Sequence, residues 1–166
     1  MIDKLAALMT GGAVKRYHTA HTIRQQTVAD HSHGVAMVVL TLRPLASAAL
    51  IKAALTHDLA ESVTGDVPAP AKWRCSGLKF NLEEMEREFD AKWEIDWVLT
   101  DDEKHLLKWA DMAELVVFCL NEYHMGNRAI AGILSTGLRV LREYPSPSHE
   151  METLREQLND FYGRIR

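Results

Sequence analysis

The chain is short of almost everything that would staple, anchor or punctuate it. It has two cysteines, Cys75 and Cys119, with neither a CxxC spacing nor a disulfide-rich context. They read as the reduced thiols of a cytosolic protein. No apolar run approaches the roughly 18 residues needed to cross a bilayer. The amino-terminal MIDKLAALMTGG carries Asp3 and Lys4, and its apolar run is too short for a signal peptide. These absences predict a soluble cytoplasmic protein with no membrane contact. Excess positive charge is missing too: the net charge is −4, which argues against a nucleic-acid partner. There is no repeat, no low-complexity segment and no linker long enough to divide the chain. Its 166 residues, 47 % hydrophobic and 25 % charged, are expected to fold as one domain spanning 1–166, with a core that needs no staples.

Strand signals are also scarce, and what is present is helical nearly throughout, so the expected fold class is all-α. A short first helix is predicted over 3–9, broken at Gly11 and Gly12. Residues 14–29 lack clean periodicity and read as a loop or short extended segment. Asp30 can cap a helix running to about Leu42. A second long helix is expected over about 47–63, ended by Gly65, Pro68 and Pro70. Asn81 and Glu84 suit the start of a helix over about 82–93. Thr100 and Glu103 form a capping box for a helix over 101 to about 122, with Asp101 and Asp102 in its favourable first turn. Two more helices follow, over about 127–143 and 148–163.

Against this apolar background a few ionisable residues stand out. The stretch LTHDLAESVTGD, residues 55–66, places His57, Asp58 and Glu61 in what otherwise reads as a core helix. Burying such groups is costly unless a partner or a metal compensates. His57 and Glu61, four apart, would share a face, with Asp58 turned about 100° from His57. The run LLKWADMAELVVFCL is apolar on nearly every face, yet holds Lys108, Asp111 and Glu114 spaced three apart. A Lys108–Asp111 salt bridge accounts for that spacing without any site. His31 opens the helix before. Together His31, His57, Asp58 and Asp111 make a borderline N/O ligand set. It suits one divalent transition metal (Zn, Co, Mn or Fe) better than Mg²⁺ or Ca²⁺. The charge is uneven as well: residues 1–80 hold nine Lys/Arg and five Asp/Glu, a basic setting that favours an anionic small molecule.

The order His…His-Asp…Asp resembles the HD-domain phosphohydrolases. The segments RYHTAHTIRQQTVADHS, HDLAESVTGDVPAPAK and KHLLKWADMAELV resemble the signatures of the 5′-deoxynucleotidase branch. They resemble at least as closely the small phage-encoded HD enzymes that hydrolyse dATP. The resemblance covers about residues 14–127. It implies a compact helical HD domain in which His31, His57, Asp58 and Asp111 hold the metal and Glu61 is catalytic. It places Arg16, Lys72 and Lys108 at phosphate, Tyr17 near sugar and base where relatives have Trp, and Thr64, Asp66 and Pro68 in the substrate-binding segment. The residue chemistry agrees. A divalent metal activates water and polarises a phosphoryl oxygen, Glu61 is placed to exchange a proton, and Arg16 suits forked phosphate contact.

His18, His21, His33, His105, His124 and His149 are not expected to be ligands. Binuclear relatives carry extra histidines between the His-Asp pair and the last Asp, where this chain has only His105, so one metal is expected. Ser62 replaces the acid that follows the glutamate in guanosine tetraphosphate hydrolases. Trp73, Trp93, Trp97 and Trp109 are expected in packing, and the acidic run LEEMEREFDAKWEIDW on a solvated helix face. Relatives are often homodimers, and a homo-oligomer is expected here. The expected activity is hydrolysis of 2′-deoxynucleotides, with dATP the leading candidate and dADP and dAMP beside it, to deoxyadenosine plus triphosphate or phosphate. Its rivals are a nucleotidase restricted to deoxynucleoside monophosphates and a nucleotide-binding module without catalysis.

Overall fold

The computed structural model describes residues 1–166. It is all-helical: α1 Ile2–Gly12, α2 Val28–Leu42, α3 Ala48–Thr56, α4 Glu61–Thr64, α5 Ala69–Arg74, α6 Ser76–Trp93, α7 Asp101–His124, α8 Ala131–Glu143 and α9 His149–Ile165, with a 3₁₀ turn at Arg128–Ile130 before α8. The only β pairing is an isolated antiparallel bridge between Lys15 and Thr27. No helix is long and apolar enough to cross a membrane.

The central helix is α7, packed against α2, α3, α8 and α9. Thr100 and Glu103 close the expected capping box at its start. Trp109, Ala110, Ala113, Val116 and Cys119 are wholly buried along it. Helix α2 lies against this spine through His31, Val35 and Val39, four apart on one face and each 0 % exposed. The imidazole of His31 is therefore carried into the core by the same stripe that packs α2. A smaller apolar cluster of Val28, Leu59, Ala60, Phe89 and Ile95 sits beneath the His57–Ala60 turn.

Several boundaries differ from expectation, each for a local reason. Helix α1 continues through Gly11 and Gly12 instead of breaking there. Gly11 is a close-approach residue: a Cβ on it would meet the Leu59 carbonyl oxygen at 2.6 Å. Helix α2 is capped by Thr27, with Asp30 as the returning carboxylate of the box rather than as the cap. The expected 47–63 helix stops at Thr56; turns bonded Thr56 O to Leu59 N and Asp58 O to Glu61 N carry the chain into the short α4. Pro68 and Pro70 do not simply end a helix. They open α5, because proline lacks only an amide that the first helical turn leaves free. Helix α6 starts at Ser76, so Asn81 lies inside it. It buries only Leu82 and Phe89, and its acidic run is solvated as expected. Trp109 is a core residue, but Trp73 is 64 % exposed.

Candidate metal centre

Three elements converge on one point. His31 comes from the first turn of α2, His57 and Asp58 from the turn after α3, and Asp111 from mid-α7. One ligand atom each from His31, His57 and Asp58 lies within 4.8 Å of the others. Asp111 joins them, with its Oδ1 3.2 Å from His31 Nε2. Asp58 Oδ2 is 3.5 Å from Nε2 of both His31 and His57.

The two imidazoles are held alike. His31 Nδ1 faces Glu114 Oε2 at 2.5 Å, and His57 Nδ1 faces the Ala54 carbonyl at 3.1 Å. Both contacts require Nδ1–H to donate, which leaves the lone pair on Nε2 in each ring. Both Nε2 atoms are buried and have no aligned hydrogen-bond partner. Two such nitrogens beside two carboxylates form a donor set that suits a divalent transition cation, which would take the place of the second proton that His31 otherwise holds.

The charges follow from this crowding. Burial works against a charged His31, but Asp111 and Glu114 outweigh it and push its pKa up to about 9. Burial likewise opposes ionisation of Asp58, yet His57, His31 and Arg16 hold it below the usual range. Asp111 is held well below that range, with His31 and Lys108 overcoming its burial. Glu61 goes the other way: burial, and then the neighbouring Asp58 charge, push its carboxyl up to about 8. Glu61 is 7 % exposed and its Oε2 has no partner.

Cations border the cluster. Arg16, 9 % exposed, donates from Nη1 to Asp58 Oδ2 at 2.8 Å, while its Nε is buried without a partner. Lys108 bonds Asp111 Oδ2 at 2.7 Å, so the simple salt bridge exists alongside the cluster. Lys72 lies in the last turn of α5 and acts electrostatically on Glu61. Tyr17 has a left-handed backbone, φ 57°, and its amide donates to Asp66 Oδ2 at 3.0 Å. Asp66 thus anchors the Arg16–Tyr17 backbone in this structure. One face of the Tyr17 ring stacks on Phe118, centroids 4.7 Å apart. The Thr64 hydroxyl bonds the Gly65 carbonyl, and Pro68 caps α5, so both shape the segment between Glu61 and Lys72.

Two buried residues beside the cluster escaped the sequence reading of the site. Glu114 was visible only as the third member of the Lys108–Asp111–Glu114 spacing, and Gln26 lies in the stretch without periodicity. Gln26 donates to Glu114 Oε1 at 2.8 Å.

A family model described as HD domain matches residues 13–154. The chain belongs to the HD-domain family. Among curated proteins, it is 27 % identical to the 5′-deoxynucleotidase of Cronobacter sakazakii over 138 residues, 69 % of each chain. It is equally similar to that of Escherichia coli, 27 % over 139 residues and again 69 % of each. Among solved structures, an HD-domain phosphohydrolase from Listeria innocua superposes with a TM-score of 0.72 at 21 % identity, covering 99 % of this chain and 88 % of that one. The HD phosphohydrolase of cyanophage S-2L, bound to dA and one catalytic Zn²⁺ ion, gives a TM-score of 0.64 at 22 % identity, covering 96 % and 95 %.

Proposed function

We propose that this HD-domain phosphohydrolase hydrolyses 2′-deoxynucleotides with one divalent transition metal, converting dATP to deoxyadenosine and triphosphate. The observation that carries the reading is the pair of buried, partnerless imidazole Nε2 atoms beside Asp58 and Asp111. His31, His57, Asp58 and Asp111 would hold the cation: Zn, Co, Mn or Fe. When bound, such a cation polarises a phosphoryl oxygen and acidifies water.

The chain's own residues supply the rest. Glu61, buried beside the cluster with a partnerless Oε2, is placed to take a proton from water or return one to the leaving oxygen. Arg16 has guanidinium N–H groups beyond the one spent on Asp58, including the partnerless Nε, to meet phosphate oxygens. Lys72 and Lys108 add positive charge at the rim. Tyr17 offers its second face to sugar or base, with Phe118 as backing. Asp66, Thr64 and Pro68 set the substrate-binding segment.

The dA in the cyanophage enzyme is in keeping with deoxyadenosine as the product. The names of the curated relatives favour a second reading, a 5′-deoxynucleotidase restricted to monophosphates. The same residues serve both. The deciding experiment is product analysis after incubation with dATP and dAMP in turn, each with Co²⁺ or Mn²⁺. Deoxyadenosine with intact triphosphate from dATP supports the first reading. Turnover of dAMP alone establishes the second.

A further inference from the structure

Glu114 is the one acid beside the cluster that the proposed reaction leaves without a task. It lies one turn beyond Asp111 on α7, so both side chains project towards α2. The residue is 7 % exposed, and both of its carboxylate oxygens are engaged. Oε2 accepts from His31 Nδ1 at 2.5 Å and Oε1 accepts from Gln26 Nε2 at 2.8 Å. Its only ion-pair partner is His31.

The surroundings are shaped to this side chain. Gly34 stands one turn beyond His31 on α2, and a Cβ there would come within 2.7 Å of Glu114 Cγ and 3.0 Å of Oε1. Gln26 is 5 % exposed, and its backbone carbonyl accepts the Arg16 amide at 2.9 Å. A continuous chain of contacts therefore runs from His31 through Glu114 and Gln26 to the backbone of Arg16. A buried carboxylate is expensive unless its charge is met. An imidazole whose far nitrogen carries a cation or a second proton meets it, and a neutral imidazole alone meets it poorly.

We infer that Glu114 is a positioning residue for the metal. It holds His31 in the tautomer and orientation that aim the Nε2 lone pair at Asp58 and Asp111, and it strengthens that nitrogen as a donor. Gln26 fixes the opposite oxygen of the carboxylate and ties the metal-facing imidazole to the segment that carries Arg16. The inference rests on the metal reading above and goes beyond the four ligands themselves.

The test is metal affinity and spectroscopy rather than turnover. Wild type, Glu114→Gln and Gln26→Ala are titrated with Co²⁺ against a competing chelator, and the visible d–d bands are recorded. Glu114→Gln keeps the volume but loses the charge. It is expected to weaken Co²⁺ binding about 10- to 100-fold and to shift the bands, with a helical circular dichroism spectrum like wild type. Gln26→Ala leaves the His31 contact intact and is expected to weaken binding less, in the same direction. If Glu114→Gln fails to fold, Gln26→Ala carries the test by the same two readouts. Wild-type affinity and unchanged bands in the folded variants would overturn the inference while leaving the metal reading standing. A wild-type protein that binds no Co²⁺ would instead overturn the metal reading, and the inference with it.

Discussion

Stripping the metal should make stability fall with pH across the neutral range. His31 is fully buried, with Nε2 3.2 Å from Asp111 Oδ1 and 3.5 Å from Asp58 Oδ2, and Nδ1 2.5 Å from Glu114 Oε2. In the metal-free protein a proton on His31 offsets these carboxylates, which is why its pKa stands at about 9 rather than 6.5. A group whose pKa is raised on folding stabilises fully below its unfolded value. That contribution is lost as pH climbs through the folded value. The difference is worth on the order of 3 kcal/mol. Glu61 acts in the same direction: its carboxyl, raised from 4.5 to about 8, keeps in the folded state a proton that the unfolded chain gives up. Asp58 and Asp111 are lowered, so their contribution is lost only in acid, outside this window. For a chain of this length 1 kcal/mol moves Tm by about 2–4 °C. His31 alone should therefore lower the Tm of EDTA-treated protein by about 6–12 °C between pH 6.5 and pH 9. With Co²⁺ or Zn²⁺ in excess the cation takes the place of the proton, and the curve should flatten and rise. At 100 times Kd it should gain about 2.7 kcal/mol. Scanning calorimetry from pH 6 to pH 9.5, with and without metal, reads both effects. A chelated protein whose Tm is flat over that range, or one indifferent to metal, would show that His31 does not carry a charge that the cation replaces.

Asp58→Ala should abolish metal binding and hydrolysis together while the helical circular dichroism persists, as read by metal analysis and product assay. Glu61→Gln should keep its metal and lose about 10²- to 10⁴-fold in kcat; normal turnover would remove its acid–base role. Trp109, wholly buried on α7 with Nε1 bonded to Ser146 Oγ at 3.1 Å, should cost about 3–5 kcal/mol on change to alanine, seen by urea denaturation. Thr27→Ala removes the cap of α2 that sets where His31 enters the core, and should cost about 1 kcal/mol.

The residues that converge on the site were legible because burial made them anomalous. His57, Asp58 and Asp111 sit in apolar runs, and their order along the chain is a recognisable pattern. The start of α7 was equally legible, since Thr100 and Glu103 spell a capping box in full. The start of α2 was not: Thr27 and Asp30 make the same box with a shorter acid, and Asp30 read as the cap itself. The break after Thr56 left no periodic trace, because the apolar spacing continues across it. Leu59, in the turn that follows the break, is closely approached by Gly11, a tertiary contact that the local pattern does not carry. Glu114 and Gln26 were invisible as site residues for a related reason. One sat in a spacing that a salt bridge explained, and the other in a segment whose shape comes only from the residues it meets.

The most direct test of the account is chromatography of the products from dATP, dAMP, dGTP and ATP, each with Co²⁺ or Mn²⁺, with chelator, and with Asp58→Ala in place of wild type. Deoxyadenosine should be released from a deoxyadenosine nucleotide, dependent on the metal and absent with chelator or the variant. Deoxyadenosine formed equally well with chelator or by Asp58→Ala, or no nucleoside released from any deoxynucleotide, would contradict the account.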